Sequence, residues 1–235
     1  MKVNTIQNEL NSLAYHGRGI IIGKSADGKK AVFAYFIMGR SANSRNRIFS
    51  KTEDGIIIYP HKPELVEDPS LIIYSPVRKV SGKTVVTNGD QTDTVVDFIK
   101  DGKTFEEALR TRCFEPDAPN LTPTISGILE FENGFTYKMS ILKSGDEVGS
   151  KCFRYTFEYD AIDGLGHFIH TYEKNGNPIP TFRGEPERVS IANDIDDFTN
   201  DIWESLNEEN KISLYVSYTD LASGVEETRL INKNK

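Results

Sequence analysis

Along the chain, apolar residues first recur at Val3, Ile6, Leu10 and Leu13, the spacing of one helical face, and predict a short amphipathic helix. Arg18 to Lys24 then carries the unbroken run Ile20-Ile21-Ile22, which reads as a strand buried on both faces. Asp27-Gly28 turns it into a second strand, Ala31 to Met38, making a hairpin. A polar loop, Gly39 to Arg47, follows, and further strands are predicted at Gly55 to Tyr59, Leu71 to Tyr74 and Lys83 to Thr87. The period then changes. Val95, Val96 and Ile99 predict a helix capped by Asp90 or Thr92 and stopped by Gly102. Thr104 and Glu107 have capping-box spacing for a second helix burying Phe105, Ala108 and Leu109.

The proline-rich stretch Pro116 to Pro123 reads as a loop, because strands resume at once in a hairpin, Thr124 to Phe131 and Phe135 to Leu142, joined at Asn133-Gly134. Cys152 to Tyr159 and Phe168 to Tyr172 add strands. Ile195, Phe198, Ile202 and Leu206 mark an amphipathic helix, and Ile212 to Tyr218 with Val225 to Ile231 closes the chain as a hairpin. Strands in hairpins, with helices between them, describe an α+β chain rather than alternating βαβ units. With about ten strands, the pattern predicts a four-layer α-β-β-α sandwich of two antiparallel sheets. The 235 residues are expected to form one unit, 1–235, with 1–14 as an N-terminal helical extension.

Composition narrows the function. A net charge of −7 argues against a general nucleic-acid binder, whose affinity comes from many Lys and Arg on phosphates. Thirteen Phe and ten Tyr belong to a chain with a core. Two well-separated cysteines, Cys113 and Cys152, give no disulfide framework or paired-cysteine metal site. His167 and His170 lie at i, i+3 in a predicted strand, where they face opposite sides, so no metal is expected there. Met1-Lys2-Val3-Asn4 begins no apolar run, so the expected compartment is the cytoplasm, with no membrane partner.

Three segments could carry chemistry. Gly39-Arg40-Ser41-Ala42-Asn43-Ser44-Arg45-Asn46-Arg47 holds three arginines and no acid. Guanidinium forks match phosphate oxygens, although a solvated loop pairing with surface carboxylates has the same composition. Thr87-Asn88-Gly89-Asp90-Gln91-Thr92-Asp93 joins a strand to a helix, where either an anion or ordinary capping would use such residues. Phe114-Glu115-Pro116-Asp117-Ala118-Pro119-Asn120 fixes two carboxylates between prolines, as an acid or base, or a structural loop, would need. Tyr59 and Tyr74 stand at predicted strand ends. Serine-hydrolase, zincin, Walker and dinucleotide motifs do not occur.

Gly17-Arg18-Gly19-Ile20-Ile21-Ile22-Gly23, the loop from Gly39-Arg40-Ser41 to Asn46-Arg47, Thr87 to Asp93, and Asn120-Leu121-Thr122-Pro123 occur in the order that resembles the archaeal-type IMP cyclohydrolases and their bacterial relatives. The clear resemblance covers residues 15–130. It implies a fold like the N-terminal-nucleophile hydrolases, used without a terminal nucleophile. It also implies closure of 5-formamidoimidazole-4-carboxamide ribonucleotide to inosine monophosphate with loss of water. A purine ribonucleotide is the implied partner, no cofactor or metal is implied, and self-association is common in the family. By the same resemblance Arg40, Arg45 and Arg47, with Ser41, Asn43 and Asn46, would position phosphate and substrate. Arg18, Asn88, Gly89, Asp93 and Asn120 would line the pocket, and Tyr74, Glu115 and Arg40 would serve catalysis, with Tyr59 standing in for Tyr74. Thr124 stands where the family often has a basic residue, which puts the substrate's identity in question if that residue touches it. A non-catalytic nucleotide-binding protein and an amide hydrolase on the same scaffold are the alternatives.

Overall fold

The structure is a computed structural model that describes residues 2–66 and 73–234. Among them, thirteen strands form two sheets in which the paired strands are antiparallel. The first sheet runs β11 (Glu187–Ser190), β10 (Leu165–His170), β1 (Arg18–Lys24), β2 (Lys30–Met38), β12 (Lys211–Asp220), β13 (Glu226–Asn232). The second is a meander of seven: β3 (Ile48–Lys51), β4 (Gly55–Tyr59), β5 (Val77–Val80), β6 (Lys83–Thr87), β7 (Thr124–Glu130), β8 (Thr136–Ser144) and β9 (Cys152–Asp160).

Alternation along the strands explains the layers. Ile20 and Ile22 of β1 join Phe33, Tyr35 and Ile37 of β2, and face Ile56, Ile58, Val86, Ile125 and Met139 of the second sheet in the central core. Ile21, Val32, Ala34 and Phe36 point the other way, onto α1 (Ile6–Asn11) and α5 (Ile195–Ser205) through Ile6, Leu10, Phe198 and Ile202. The outer face of the second sheet, with Val85 and Ile128, is covered by Val95, Val96, Phe105 and Leu109 of α3 (Gln91–Lys100) and α4 (Phe105–Arg110). The unbroken Ile20-Ile21-Ile22 run follows from this, since β1 has apolar layers on both faces. The α+β sandwich of two antiparallel sheets with helices outside them is as expected.

Several boundaries differ from the sequence reading. β3, β5 and β11 are four-residue strands, too short for a period-two pattern to stand out. β10 begins at Leu165, three residues before the expected start. The first two residues of the expected Leu71 to Tyr74 strand lie outside the described residues. Tyr74 itself is in coil, with its carbonyl accepting from the Ile58 amide at 2.9 Å. The Gly39–Arg47 loop contains a single helical turn, α2 (Ala42–Arg45), closed by a capping box between Ser41 and Ser44. Asp90 is the N-cap residue of α3 but makes no side-chain cap bond; its carboxylate pairs with Arg112. Among the described residues, no helix is long and apolar enough to cross a membrane.

Two histidines sit on opposite faces of the first sheet's core. His167 lies between the sheets, with Nδ1 2.6 Å from the Tyr137 hydroxyl and its ring stacked on Tyr159. Burial first, then Arg188, lowers its pKa to about 4. Burial first, then His170, lowers that of His16 to about 3. Each is neutral in the fold, whereas its unfolded counterpart binds a proton below about 6.5. Stability therefore falls as pH drops from 6.5 toward 4 for His167 and toward 3 for His16, by about 1.4 kcal/mol per pH unit for each proton taken up. Urea midpoints measured from pH ~7 down to ~5 should decline, and His167→Gln should flatten that decline by about one proton's worth. An unchanged slope in the variant would show that His167 is not held neutral.

Candidate active site

Antiparallel pairing brings four remote segments to one end of the sandwich. Arg18 opens β1, Arg40 follows β2, Tyr172 follows β10, and Thr122 precedes β7. Between them lies a cavity of about 330 Å³, lined by these four residues with Tyr15, Ser41, Ser44, Arg47, Glu115, Asp117, Asn120 and Ile179. That volume lies at the small end of the range for small-molecule sites.

Gly17 lets the first wall close. Its φ is +76°, and a Cβ there would lie 2.2 Å from Thr171 Oγ1 and 2.6 Å from the Tyr172 ring. Only glycine fits both the backbone and the space. The Thr171 hydroxyl donates to the His16 carbonyl at 2.9 Å and accepts from the Arg18 amide at 3.2 Å, fixing where the Arg18 side chain starts. The guanidinium donates from Nη1 to the Met38 carbonyl at 3.1 Å, while its buried Nε has no partner among the described residues.

The arginine loop divides its labour. Arg40 lies over the Tyr15 ring, 4.9 Å from its centroid, and Tyr15 stacks on Tyr172. This cation–π stack holds the guanidinium at the mouth without neutralising it. Arg47 turns inward, and its Nε is also buried and unpartnered. Arg45 does not line the cavity: Nε donates to the Gly39 carbonyl at 2.9 Å and Nη2 to Asn210 at 3.2 Å. Asn46 is buried and pinned to Lys62, donating to its carbonyl at 2.8 Å and accepting from its amide at 2.7 Å. Asn43 is exposed on α2.

The opposite wall is the loop that carries Glu115. The Glu115 amide donates to the Thr122 carbonyl at 2.8 Å. Thr122 donates through its amide and hydroxyl to the two carboxylate oxygens of Asp117, at 2.6 and 2.5 Å, and its hydroxyl accepts from Tyr172 at 2.7 Å. Asn120 accepts from the Ile179 amide at 3.3 Å. Behind the loop, buried Asn88 donates to the Pro123 carbonyl at 3.0 Å and accepts from the Ile125 amide at 2.8 Å and from Gln91. Asn88, Gly89 and Asp93 are outside the lining, and Asp93 pairs with Arg78 at 2.9 Å. Thr124 is buried, with its hydroxyl donating to the Cys113 carbonyl at 3.3 Å, and it too is outside the lining. Tyr59 is exposed. The Tyr74 hydroxyl lies 3.4 Å from that of Tyr35, beside the buried arginines.

Electrostatics set the protonation of this end. Burial works against the Arg18 charge, but Tyr74, Tyr15, Tyr35 and Glu115 around it outweigh that, and its proton affinity is raised. Burial, then Arg18, lowers that of Arg47. Burial raises the Glu115 pKa, with Asp117 adding to the rise, although Arg18 and Arg47 oppose it. Burial, then Tyr74, holds the Tyr35 phenol well above its usual range. The cavity thus joins fixed positive charge with a carboxyl that keeps its proton more readily than an exposed one. Such a site can bind an anion, donate to a developing oxyanion and supply a proton.

Of the residues proposed from sequence, Arg18, Arg40, Ser41, Arg47, Glu115 and Asn120 meet in the lining. Tyr15, Tyr172, Thr122, Ser44, Asp117 and Ile179 complete it and were not proposed as site residues. Ser44, Asp117 and Thr122 lie inside the quoted segments and Tyr15 lies just before Gly17-Arg18, whereas Tyr172 and Ile179 had no local signal.

A family model described as IMP cyclohydrolase-like protein matches residues 15–224. An IMP cyclohydrolase of Methanococcus aeolicus is 29% identical over 163 residues, 68% of this chain and 74% of that protein. One from Methanosphaera stadtmanae is 28% identical over 165 residues, 68% of this chain and 75% of that protein. One from Methanopyrus kandleri is 32% identical over 122 residues, 50% of this chain and 60% of that protein.

Replacing Asn88 by Ala leaves the Pro123 carbonyl and the Ile125 amide without their side-chain partner. Asn88→Ala should therefore lower unfolding stability by about 2–3 kcal/mol. Asp93→Ala, which breaks only an exposed ion pair, should cost under ~1 kcal/mol. Denaturant unfolding of both variants checks this, and equal losses would mean that Asn88 is not the pin of this wall.

Proposed function

The chain belongs to the IMP cyclohydrolase-like family, and on that premise we propose that it closes 5-formamidoimidazole-4-carboxamide ribonucleotide to inosine monophosphate at the cavity between Arg18, Arg40 and Glu115. The observation that carries this reading is the meeting of Arg18, Arg40 and Arg47 in one lining with Glu115, a carboxyl of raised pKa. Guanidinium groups offer several N–H donors each, matched to the oxygens of a phosphate or a developing oxyanion.

Ring closure is intramolecular, so holding the two ends of the substrate supplies much of the rate. Arg40, with Ser41 and Ser44 at the mouth, takes the phosphate. The base then lies toward Arg18, Arg47 and Glu115. The carboxamide nitrogen attacks the formyl carbon, a C–N bond forms, and the carbonyl electron pair moves onto oxygen. Arg18 and Arg47 stabilise that oxygen as its charge develops. One proton passes from the attacking nitrogen to the oxygen. The hydroxyl leaves as water with a second proton from Glu115, and the former formamide nitrogen gives up its proton as the C=N bond forms. That last proton restores the Glu115 carboxyl. Tyr74, its hydroxyl 3.4 Å from that of Tyr35, is outside the lining and acts through the two arginines near it. Arg45, Asn46 and Asn88 act by holding the walls, while Asn120 ties one wall to Ile179.

Incubating the protein with the formylated nucleotide should yield inosine monophosphate, followed by ultraviolet absorbance. Glu115→Gln should lower kcat by ~10²-fold or more with KM changed only a few-fold. Because the protonated carboxyl is the active form, wild-type activity should fall as pH rises through the Glu115 pKa, and Glu115→Gln should lack that limb. Arg40→Ala should raise KM by roughly ten-fold or more, and Arg45→Ala should affect folding more than KM. Tight product binding without turnover would favour a nucleotide-binding protein instead. A larger KM effect from Arg45→Ala than from Arg40→Ala would overturn the assignment of the mouth.

A further inference from the structure

The two sheets have four outer edges among the described residues, and three of them are short or covered. β11 has four residues and is bridged by Asn4, whose amide donates to the Arg188 carbonyl while its carbonyl accepts from Ser190. β3 also has four, and the Phe49 amide and carbonyl are both bonded by the Asn232 side chain. β13 is half-buried and packs against β3. β9 differs. It pairs with β8 alone, through nine residues in continuous register from Cys152 to Asp160, and is exposed along most of its length.

Cys152–Asp160 has no proline, lysine or bulge, three of the usual protections of a free strand, and its charges are Arg154, Glu158 and Asp160. Its odd positions, Phe153, Tyr155, Phe157 and Tyr159, place four aromatic rings on one face. Phe157 and Tyr159 pack against the central core, while Phe153 and Tyr155 remain 49% and 43% exposed. The even face carries Arg154, Thr156 and Glu158, and the Glu158 side chain is largely exposed.

We propose that β9 is the docking edge for a second copy of this chain, joined strand to strand about a two-fold axis through Thr156. The strand is its own complement in this register. Only an axis at Thr156 pairs all nine residues, and it sets Arg154 opposite Glu158 of the other copy, once at each end. It also sets Tyr155 opposite Phe157 and Phe153 opposite Tyr159, continuing the aromatic face across the junction. Opposite charges and aromatic pairs directly across strands are the contacts that stabilise a sheet. The result is one sheet of fourteen strands with a self-complementary interface. Arg154 also donates to the Arg112 and Leu109 carbonyls, at 2.6 and 3.4 Å. The docked edge therefore braces the end of α4, from which the Glu115 loop departs.

Sedimentation of the full chain at tens of micromolar should give a dimer. Glu158→Arg faces Arg154 with a like charge at both ends and should weaken dimerisation by ~10-fold or more. Arg154→Glu faces Glu158 with a like charge and should do the same. Mixing the two variants places opposite charges at both junctions and should restore dimers, as heterodimers. Circular dichroism checks that each variant is folded, and Glu158→Arg, altering an exposed side chain, keeps the test valid if Arg154→Glu is not. A monomeric wild type would overturn the proposal. So would a Glu158→Arg dimer as tight as the wild type, or folded variants whose mixture stays monomeric.

Discussion

Arg18 and Arg47, half-buried at one end of a β-sandwich, each bury one unpartnered nitrogen, and the surrounding structure accommodates that charge. A buried cation is costly unless charge and hydrogen bonds compensate it. Compensation here is partial. The Met38 carbonyl takes one Arg18 donor, Glu115 faces both groups, and the Tyr35 and Tyr74 hydroxyls lie alongside. The Arg18 and Arg47 Nε atoms remain without a protein partner among the described residues, while both residues line the cavity.

Holding Glu115 against that charge requires a rigid wall. The segment from Glu115 to Pro123 has no regular secondary structure, so its backbone groups are satisfied by bonds within the loop and by side chains outside it. Thr122 and Asp117 close it internally, Tyr172 holds it to the first sheet, and Asn88 holds it to the second. The Asn88 side chain thus acts through Pro123 and Ile125, not by touching a ligand. Arg45 and Asn46 do the equivalent for the arginine loop, and through them Arg47 is turned inward while Arg40 stays at the mouth.

This division explains what was legible in the sequence. Hairpins such as Asp27-Gly28 and Asn133-Gly134, the Thr104–Glu107 capping box and the Ile195–Leu206 stripe are local signals, and they translate directly into structure. The strands β3, β5 and β11 have too few residues for a pattern, and their pairing comes from neighbours distant in sequence. At the site, the acid-free arginine loop and the Glu115 segment stood out by composition. Their inner assignment did not, because Arg and Asn use the same donors to pin a carbonyl and to bind an anion. Arg45 and Arg47 are two residues apart, yet one holds Gly39 and Asn210 while the other lines the cavity. Tyr172 was invisible because its contact with Thr122 spans fifty residues and depends on Gly17 admitting its ring.

The charge balance of the whole chain completes the physical picture. A net charge of −7 repels polyanions at long range, while the positive charge of Arg18, Arg40 and Arg47 is gathered at one cavity. At contact distance, the attraction of such a local cluster for an anion outweighs the screened repulsion of charges farther away on the surface.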